Sequence, residues 1–142
     1  GEVRKITVGN ETWICSGGSY LGSSGSIELD TQYQGLTKGM FSKEGLVFVK
    51  ASGEGELLVN GFGRISEVEV RDGITIDNGH LIAFTEGLEY TIGKSGGGWI
   101  SSMMSGEGLV MKFRGQGRIL VQSHDPSRLV GALGPLLPPR EG

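Results

Sequence analysis

The chain has 142 residues, with 13 Lys plus Arg against 16 Asp plus Glu and a net charge of −3. That length suits one domain able to bury a real core, and the slightly acidic balance argues against a dedicated nucleic-acid binder, which carries a basic excess. A single cysteine, Cys15, excludes an intrachain disulfide and fits a reducing, cytoplasmic setting. No run approaches the ~18 apolar residues of a membrane-spanning helix.

Glycine supplies 27 of the 142 residues, far above the usual share of about 7%. The glycines stand between short apolar runs rather than in tracts, so they read as turns, where a missing Cβ permits unusual backbone angles. The chain opens on Gly1 rather than Met, which suggests a trimmed or processed product.

In chain order, short runs rich in β-branched and aromatic residues predict strands over 3–8, 12–15, 26–29, 46–51, 56–60, 64–70, 74–76, 80–85, 88–92, 99–103, 109–113 and 118–122. Several alternate apolar with polar, the period of a half-buried strand. Over 65–70, Glu67 and Glu69 share one face while Val68 and Val70 share the other. Arg71-Asp72-Gly73 and Asp77-Asn78-Gly79 carry the dipeptides of tight hairpins. Only the tail over 125–142 looks helical: Asp125 can cap, Pro126 suits a first helical position, and the Pro-rich end from Pro135 must run extended. The segments 22–25 and 95–98 are loops, too short to be linkers.

The most informative pattern is an internal repeat. The stretch 44–59, an apolar strand, a Gly53-Glu54-Gly55 turn and a second apolar strand, returns over 107–121 around Gly115-Gln116-Gly117. Self-similarity at a fixed offset marks a fold made from copies of one unit. Many strands and almost no helix imply an all-β domain over 1–142, a sandwich or barrel-like structure with two similar halves, one from about residue 36 and the other from about residue 98.

A series of segments then carries a resemblance. These are Asp30-Thr31-Gln32-Tyr33-Gln34-Gly35-Leu36-Thr37-Lys38-Gly39-Met40-Phe41, Glu44-Gly45-Leu46, Asp77-Asn78-Gly79-His80-Leu81-Ile82-Ala83-Phe84, Ser105-Gly106-Glu107-Gly108-Leu109-Val110 and 113–123. In order and spacing, from about Thr12 to Leu129, they resemble the altered-inheritance-of-mitochondria twenty-four family. The resemblance implies a double-stranded β-helix of the class that includes the tryptophan RNA-binding attenuation protein, and assembly into homo-oligomers. It implies no catalytic residues, because the prokaryotic members have no agreed activity. Two departures stand out. Where the family often has Asp-Thr-Gly-His, this chain has Asp77-Asn78-Gly79-His80. The family also usually has further strands before the equivalent of Val3, and without them a sheet edge is expected to stand open.

Candidate chemistry is sparse. His80 and His124 lie near Asp77 and Asp125, but a metal needs several converging ligands, and the His-x-His pair of cupin-type metal sites does not occur. The turn 77–80 therefore reads as structural. Cys15 sits in an apolar run and reads as a small core residue. Gly53, Gly55, Gly115 and Gly117 precede strands, whereas phosphate-binding glycine loops open a helix, so they read as repeat turns. The best charged cluster is Lys112, Arg114 and Arg118. The first two share one strand face and the third returns across the turn, a candidate face for phosphate or acidic ligands. Phe41, Phe48, Met103, Met104, Met111, Phe113, Trp13 and Trp99 read as core or subunit contacts.

The absence of a catalytic constellation, together with what the resemblance implies, favours a non-enzymatic β-scaffold without cofactor or metal, a homo-oligomer that presents surfaces to protein or membrane-associated partners. An RNA- or small-anion-binding module on the basic face is the alternative. An enzyme with an unrecognised site is the third reading.

Overall fold

The computed structural model describes residues 1–34, 46–94 and 109–124. They form twelve strands: β1 (Glu2–Val8), β2 (Trp13–Ser16), β3 (Tyr20–Ser23), β4 (Ile27–Gln34), β5 (Leu46–Gly53), β6 (Gly55–Gly61), β7 (Ile65–Val70), β8 (Gly73–Asp77), β9 (Leu81–Thr85), β10 (Glu89–Lys94), β11 (Leu109–Arg114) and β12 (Gly117–Gln122). The described part is all-β, apart from a 3-10 turn at Asn78–His80. Eleven of the expected strands are present. The expected strand over 99–103 and the helical tail over 125–142 lie outside the described residues. One strand escaped the pattern: β3 is four residues long, contains Gly22 and is bulged, so it shows no alternation.

All pairings are antiparallel and build three sheets. One has the order β1-β6-β3, one the order β10-β11-β8, and the six-stranded sheet runs β4-β5-β2-β9-β12-β7. Adding six to each strand number turns β1-β6-β3 into β7-β12-β9, and β4-β5-β2 into β10-β11-β8. The described residues are therefore two copies of a six-strand unit, β1–β6 and β7–β12, fused where β2 pairs with β9. The halves begin at the first and seventh strands rather than near residues 36 and 98. The visible repeat had revealed only the last two strands of each unit.

Register confirms the equivalence. Val8 lies opposite Gly55 and Val70 opposite Gly117, 62 positions on. The pairing of β3 with β6 slips between Tyr20 and Gly22, and that of β9 with β12 slips at the matching place, between Leu120 and Val121. The bulged residues, Leu21 and Ile82, are thus counterparts.

Nearly every connection crosses between sheets. Only β4–β5 and β10–β11 are consecutive neighbours in one sheet. This corrects the hairpin expectation for Arg71-Asp72-Gly73 and Asp77-Asn78-Gly79: both carry the chain between sheets, and neither Gly73 nor Gly79 takes positive φ. At the second, the Asp77 carboxylate accepts the Gly79 N–H at 2.9 Å and caps the 3-10 turn instead.

The Gly-x-Gly turns are also sheet-switching corners, and they do need glycine. Gly53, Gly55 and Gly115 have φ of 97°, 153° and 104°. In each corner a hydroxyl receives the backbone N–H that follows the second glycine: Ser24 Oγ takes the Glu56 N–H at 3.0 Å, and Thr85 Oγ1 takes the Arg118 N–H at 3.1 Å. A Cβ on Gly55 or Gly117 would collide with that same hydroxyl. The second glycine of each pair thus leaves the space for this corner hydrogen bond.

The six-stranded sheet is covered on both faces. Trp13, Cys15, Ala51, Ile82 and Leu120 pack with Ile6, Val8, Leu57 and Val59 from β1 and β6. Ile14, Phe48, Phe84 and Ile119 pack with Met111 and Phe113 from β11 and with Tyr90 from β10. This explains why β9, Leu81-Ile82-Ala83-Phe84-Thr85, is buried at every position and lacks alternation. Phe84 anchors the second cluster, with edge-to-face partners Phe48 at 6.0 Å, Tyr90 at 5.4 Å and Phe113 at 5.0 Å.

Candidate functional site

The three basic candidates do not converge. Lys112 and Arg114 stand on the exposed face of β11, with Met111 and Phe113 turned into the core, as alternation requires. Lys112 lies between Thr91 of β10 and Thr75 of β8, and Arg114 lies opposite Glu89 and Gly73. Among the described residues neither has an ion-pair partner.

Arg118 belongs elsewhere. The Gly115–Gly117 corner carries it into the six-stranded sheet, where its guanidinium bridges Glu11 and, at 3.7 Å, Glu67. It also lies 5.2 Å from the centroid of the Trp13 ring. Two carboxylates and an aromatic face account for this cation structurally. Its counterpart in the first unit is Glu56, paired with Lys5 at 3.3 Å.

The depressions beside the second corner are balanced in charge. One is lined by Glu67, Glu69, Arg71 and Arg118, the other by Arg71, Asp72, Glu89 and Arg114, together with the corner residues. Each sets two cations against two carboxylates, so neither concentrates positive potential as an anion site does. Lys50, the counterpart of Lys112, is likewise engaged. Its ammonium pairs with Glu86 and faces Asp30 across the strands, and the Glu86 bond above all raises its pKa.

The other candidates are structural in their contacts. His80 Nδ1 lies 2.8 Å from the Gln122 carbonyl oxygen. Gln122, itself buried, donates its amide to the Gly79 carbonyl at 2.9 Å and accepts the Phe62 N–H at 2.8 Å. The turn 77–80 is therefore tied to β12 and to the link between the two units. His124 Nδ1 lies 2.9 Å from Ser123 Oγ, and its ring makes a T-shaped contact with Phe62, the centroids 6.1 Å apart. Cys15 is fully buried, and burial pushes its thiol up to about 12, the opposite of an activated nucleophile. Phe48, Met111, Phe113 and Trp13 are core. Phe41, Trp99, Met103 and Met104 lie outside the described residues. Among the described residues, no three His, Cys, Asp or Glu side chains converge as a metal site would require, and no helix is long and apolar enough to cross a membrane.

The sequence reading missed an apolar outer face on the sheet β1-β6-β3. Val3 is 61% exposed, Leu21 51% and Leu58 40%. Lys5 and Leu58 lie opposite one another across β1 and β6, and Leu21 forms the adjoining bulge of β3. Alternation in 55–61 does put Leu57 and Leu58 on opposite faces, but only knowing which face is covered reveals Leu58 as the exposed one.

Fold and site together define an all-β protein made of duplicated six-strand units, with an uncovered apolar sheet face. A family profile described as "Mitochondrial biogenesis AIM24" matches residues 1–124. An uncharacterised protein of Streptococcus pyogenes serotype M6 is 33% identical over 140 residues, covering 97% of this chain and 56% of that protein. The crystal structure of a Streptococcus pyogenes protein, a structural-genomics target, aligns with a TM-score of 0.81 at 30% identity over 96% of this chain and 60% of that one. The chain thus spans little more than half the length of these relatives. It belongs to the AIM24 family.

Proposed function

We propose that the chain is a non-enzymatic β-scaffold, a homo-oligomer that presents surfaces to protein partners, membrane-associated ones among them. The observation that carries this reading is the outer face of β1-β6-β3, where three large apolar side chains stand in water on one sheet. Apolar groups clustered on a sheet face are the mark of a surface meant to be covered. The finer architecture, a double-stranded β-helix of the attenuation-protein class, belongs to the same proposal. It is supported by a chain that crosses between sheets at almost every turn. A cytoplasmic setting is supported by the lone buried thiol of Cys15.

Native mass spectrometry on protein purified without added ligand tests this reading. The scaffold account expects an oligomer carrying no extra mass. A monomer carrying extra mass would overturn it and point to a bound ligand.

One observation favours a second reading, a module for RNA or a small anion: Lys112 and Arg114 share an exposed face and neither is held in an ion pair among the described residues. Reversing both charges, Lys112→Glu with Arg114→Glu, would then abolish salt-sensitive RNA binding. Equal binding by both proteins would remove that reading.

A further inference from the structure

The dipeptide Asn-Gly occurs twice in the chain, at Asn60-Gly61 and at Asn78-Gly79. In this pairing an asparagine side chain is readily lost as ammonia, because glycine puts no side chain in the way of its own backbone nitrogen. That nitrogen gives its proton to a base in solvent and attacks the asparagine Cγ. A C–N bond forms, the side-chain amide leaves as ammonia, and a cyclic imide remains. Water opens the imide at one carbonyl or the other, leaving aspartate or isoaspartate. The sum is amide plus water to carboxylate plus ammonium, with no oxidant or reductant. The reaction requires that the side-chain amide and the following peptide be free to turn toward each other.

The two sites differ in that freedom. Asn60 and Gly61 close β6 and lie opposite Val3 and Glu2 in the ladder with β1. The Asn60 amide is engaged: Nδ2 donates to the Ser19 carbonyl at 3.1 Å and to the Gly18 carbonyl at 3.4 Å. Its backbone N–H also donates to the Ser19 carbonyl, at 2.8 Å. Asn78 instead opens the 3-10 turn between β8 and β9 and is half-buried. Among the described residues no hydrogen bond holds its side chain.

The duplication explains the contrast. Asn60 and Gln122 occupy the same place in β6 and β12, and each uses its side-chain amide to clamp the loop that leads into the next strand of its unit. Asn60 holds Gly18 and Ser19 ahead of β3, and Gln122 holds the Gly79 carbonyl, at 2.9 Å, ahead of β9. Asn60 is thus a clamp itself, while Asn78 stands in the turn that the other clamp holds.

What restrains Asn78 is its following peptide. The Gly79 N–H, on the nitrogen that must attack, donates to Asp77 Oδ1 at 2.9 Å. A carboxylate there stabilises the N–H and opposes the anion that the attack requires.

We propose that Asn78 is a site of spontaneous deamidation in the folded protein, that Asn60 is protected, and that the Asp77–Gly79 contact sets the rate. Each conversion adds one negative charge beside Asp77. Isoaspartate also lengthens the main chain by a methylene ahead of Gly79 and draws its carbonyl away from Gln122. Gln122 also accepts the Phe62 N–H at 2.8 Å, so the modified turn loosens a contact at the link between the units.

The test incubates folded wild type, urea-unfolded wild type and Asp77→Ala in mildly alkaline buffer. Both sites are followed by peptide mapping with mass spectrometry, aspartate and isoaspartate being separated by chromatography. In folded wild type Asn78 is expected to convert at least ~10-fold faster than Asn60, where several hydrogen bonds must break first. In the unfolded chain the two sites are expected to convert alike. Asp77→Ala is expected to speed Asn78 roughly 10-fold, the scale of one hydrogen bond to a charged group. Asn60 should keep its wild-type rate in that variant, which shows that the fold is intact. Equal rates at the two sites in folded protein, or an Asn78 still intact once the unfolded chain has converted, would overturn the site. Asp77→Ala that leaves Asn78 unchanged or slower would overturn the role given to Asp77. So would a variant in which both sites accelerate together, because Asp77 would then act by holding the fold.

Discussion

Two leucines at equivalent positions provide a test in which chemistry is held constant and only burial changes. Leu58 and Leu120 occupy the same place in β6 and β12, yet one is 40% exposed and the other 1%. Leu120 packs in the core between Ile65, Ile82 and the strands of the first unit. Truncation there removes a buried isobutyl group and leaves a cavity, so Leu120→Ala is expected to cost about 2–5 kcal/mol. Leu58→Ala removes a side chain that folding only partly dehydrates, in a place where water fills the gap, and is expected to cost about 1 kcal/mol or less. For a chain of this size the first corresponds to a fall in Tm of roughly 10 °C and the second to a few degrees. The assay is urea unfolding at ~1 μM protein, read as a shift in midpoint at constant slope. Dilution matters, because a partner that binds only the folded state would add to the apparent loss at Leu58. Equal losses at the two sites in dilute protein would refute the assignment of covered and uncovered faces.

Two further outcomes follow from the corners and the core. Gly53 has φ of 97°, and a Cβ there would meet the Ser26 carbonyl oxygen at 2.8 Å. Gly53→Ala is therefore expected to destabilise by about 1–3 kcal/mol. Gly22→Ala adds its methyl to open space at the counterpart of Ala83 and should change stability by about 0.5 kcal/mol at most; the same urea assay checks both. Cys15 has its pKa raised from 9.0 to about 12 by burial. A raised thiol pKa means that the fold prefers the neutral form. Its contribution is whole below pH 9 and is lost as pH rises toward 12. Native protein at pH 8 should resist thiol alkylation until it unfolds, and fast labelling of the folded chain would contradict the burial.

Much of the fold was legible because its signals are local. Apolar runs bounded by glycine located eleven of the strands, and the doubled Gly-x-Gly revealed that a unit repeats. What the residues could not convey was partnership. The spacing around Asn78-Gly79 looks like a hairpin, but β8 and β9 part into different sheets, and that depends on distant packing. The extent of the repeat was hidden too, because β1 and β7, or β3 and β9, retain the same pairing with little sequence in common: Tyr20-Leu21-Gly22-Ser23 against Leu81-Ile82-Ala83-Phe84. The candidate site shows the same limit. Alternation correctly put Lys112 and Arg114 together. Arg118 looked adjacent across a short turn, yet that turn changes sheets and delivers it to Glu11, a residue 107 positions away in sequence. Nor does any local pattern say that Leu58 is uncovered while Leu120 is not. That difference appears only when the two units are compared position by position.

The central claim is that the described residues are two copies of one six-strand unit fused where β2 pairs with β9. Amide hydrogen exchange at four equivalent residues tests it most directly. Ile14 and Phe84 lie opposite one another in that junction and should be strongly protected. Their counterparts Thr75 and Ser23 stand on strands with one partner each among the described residues and should exchange quickly in dilute protein. If all four exchange alike in dilute protein, β2 and β9 do not form the junction between the units and the account fails.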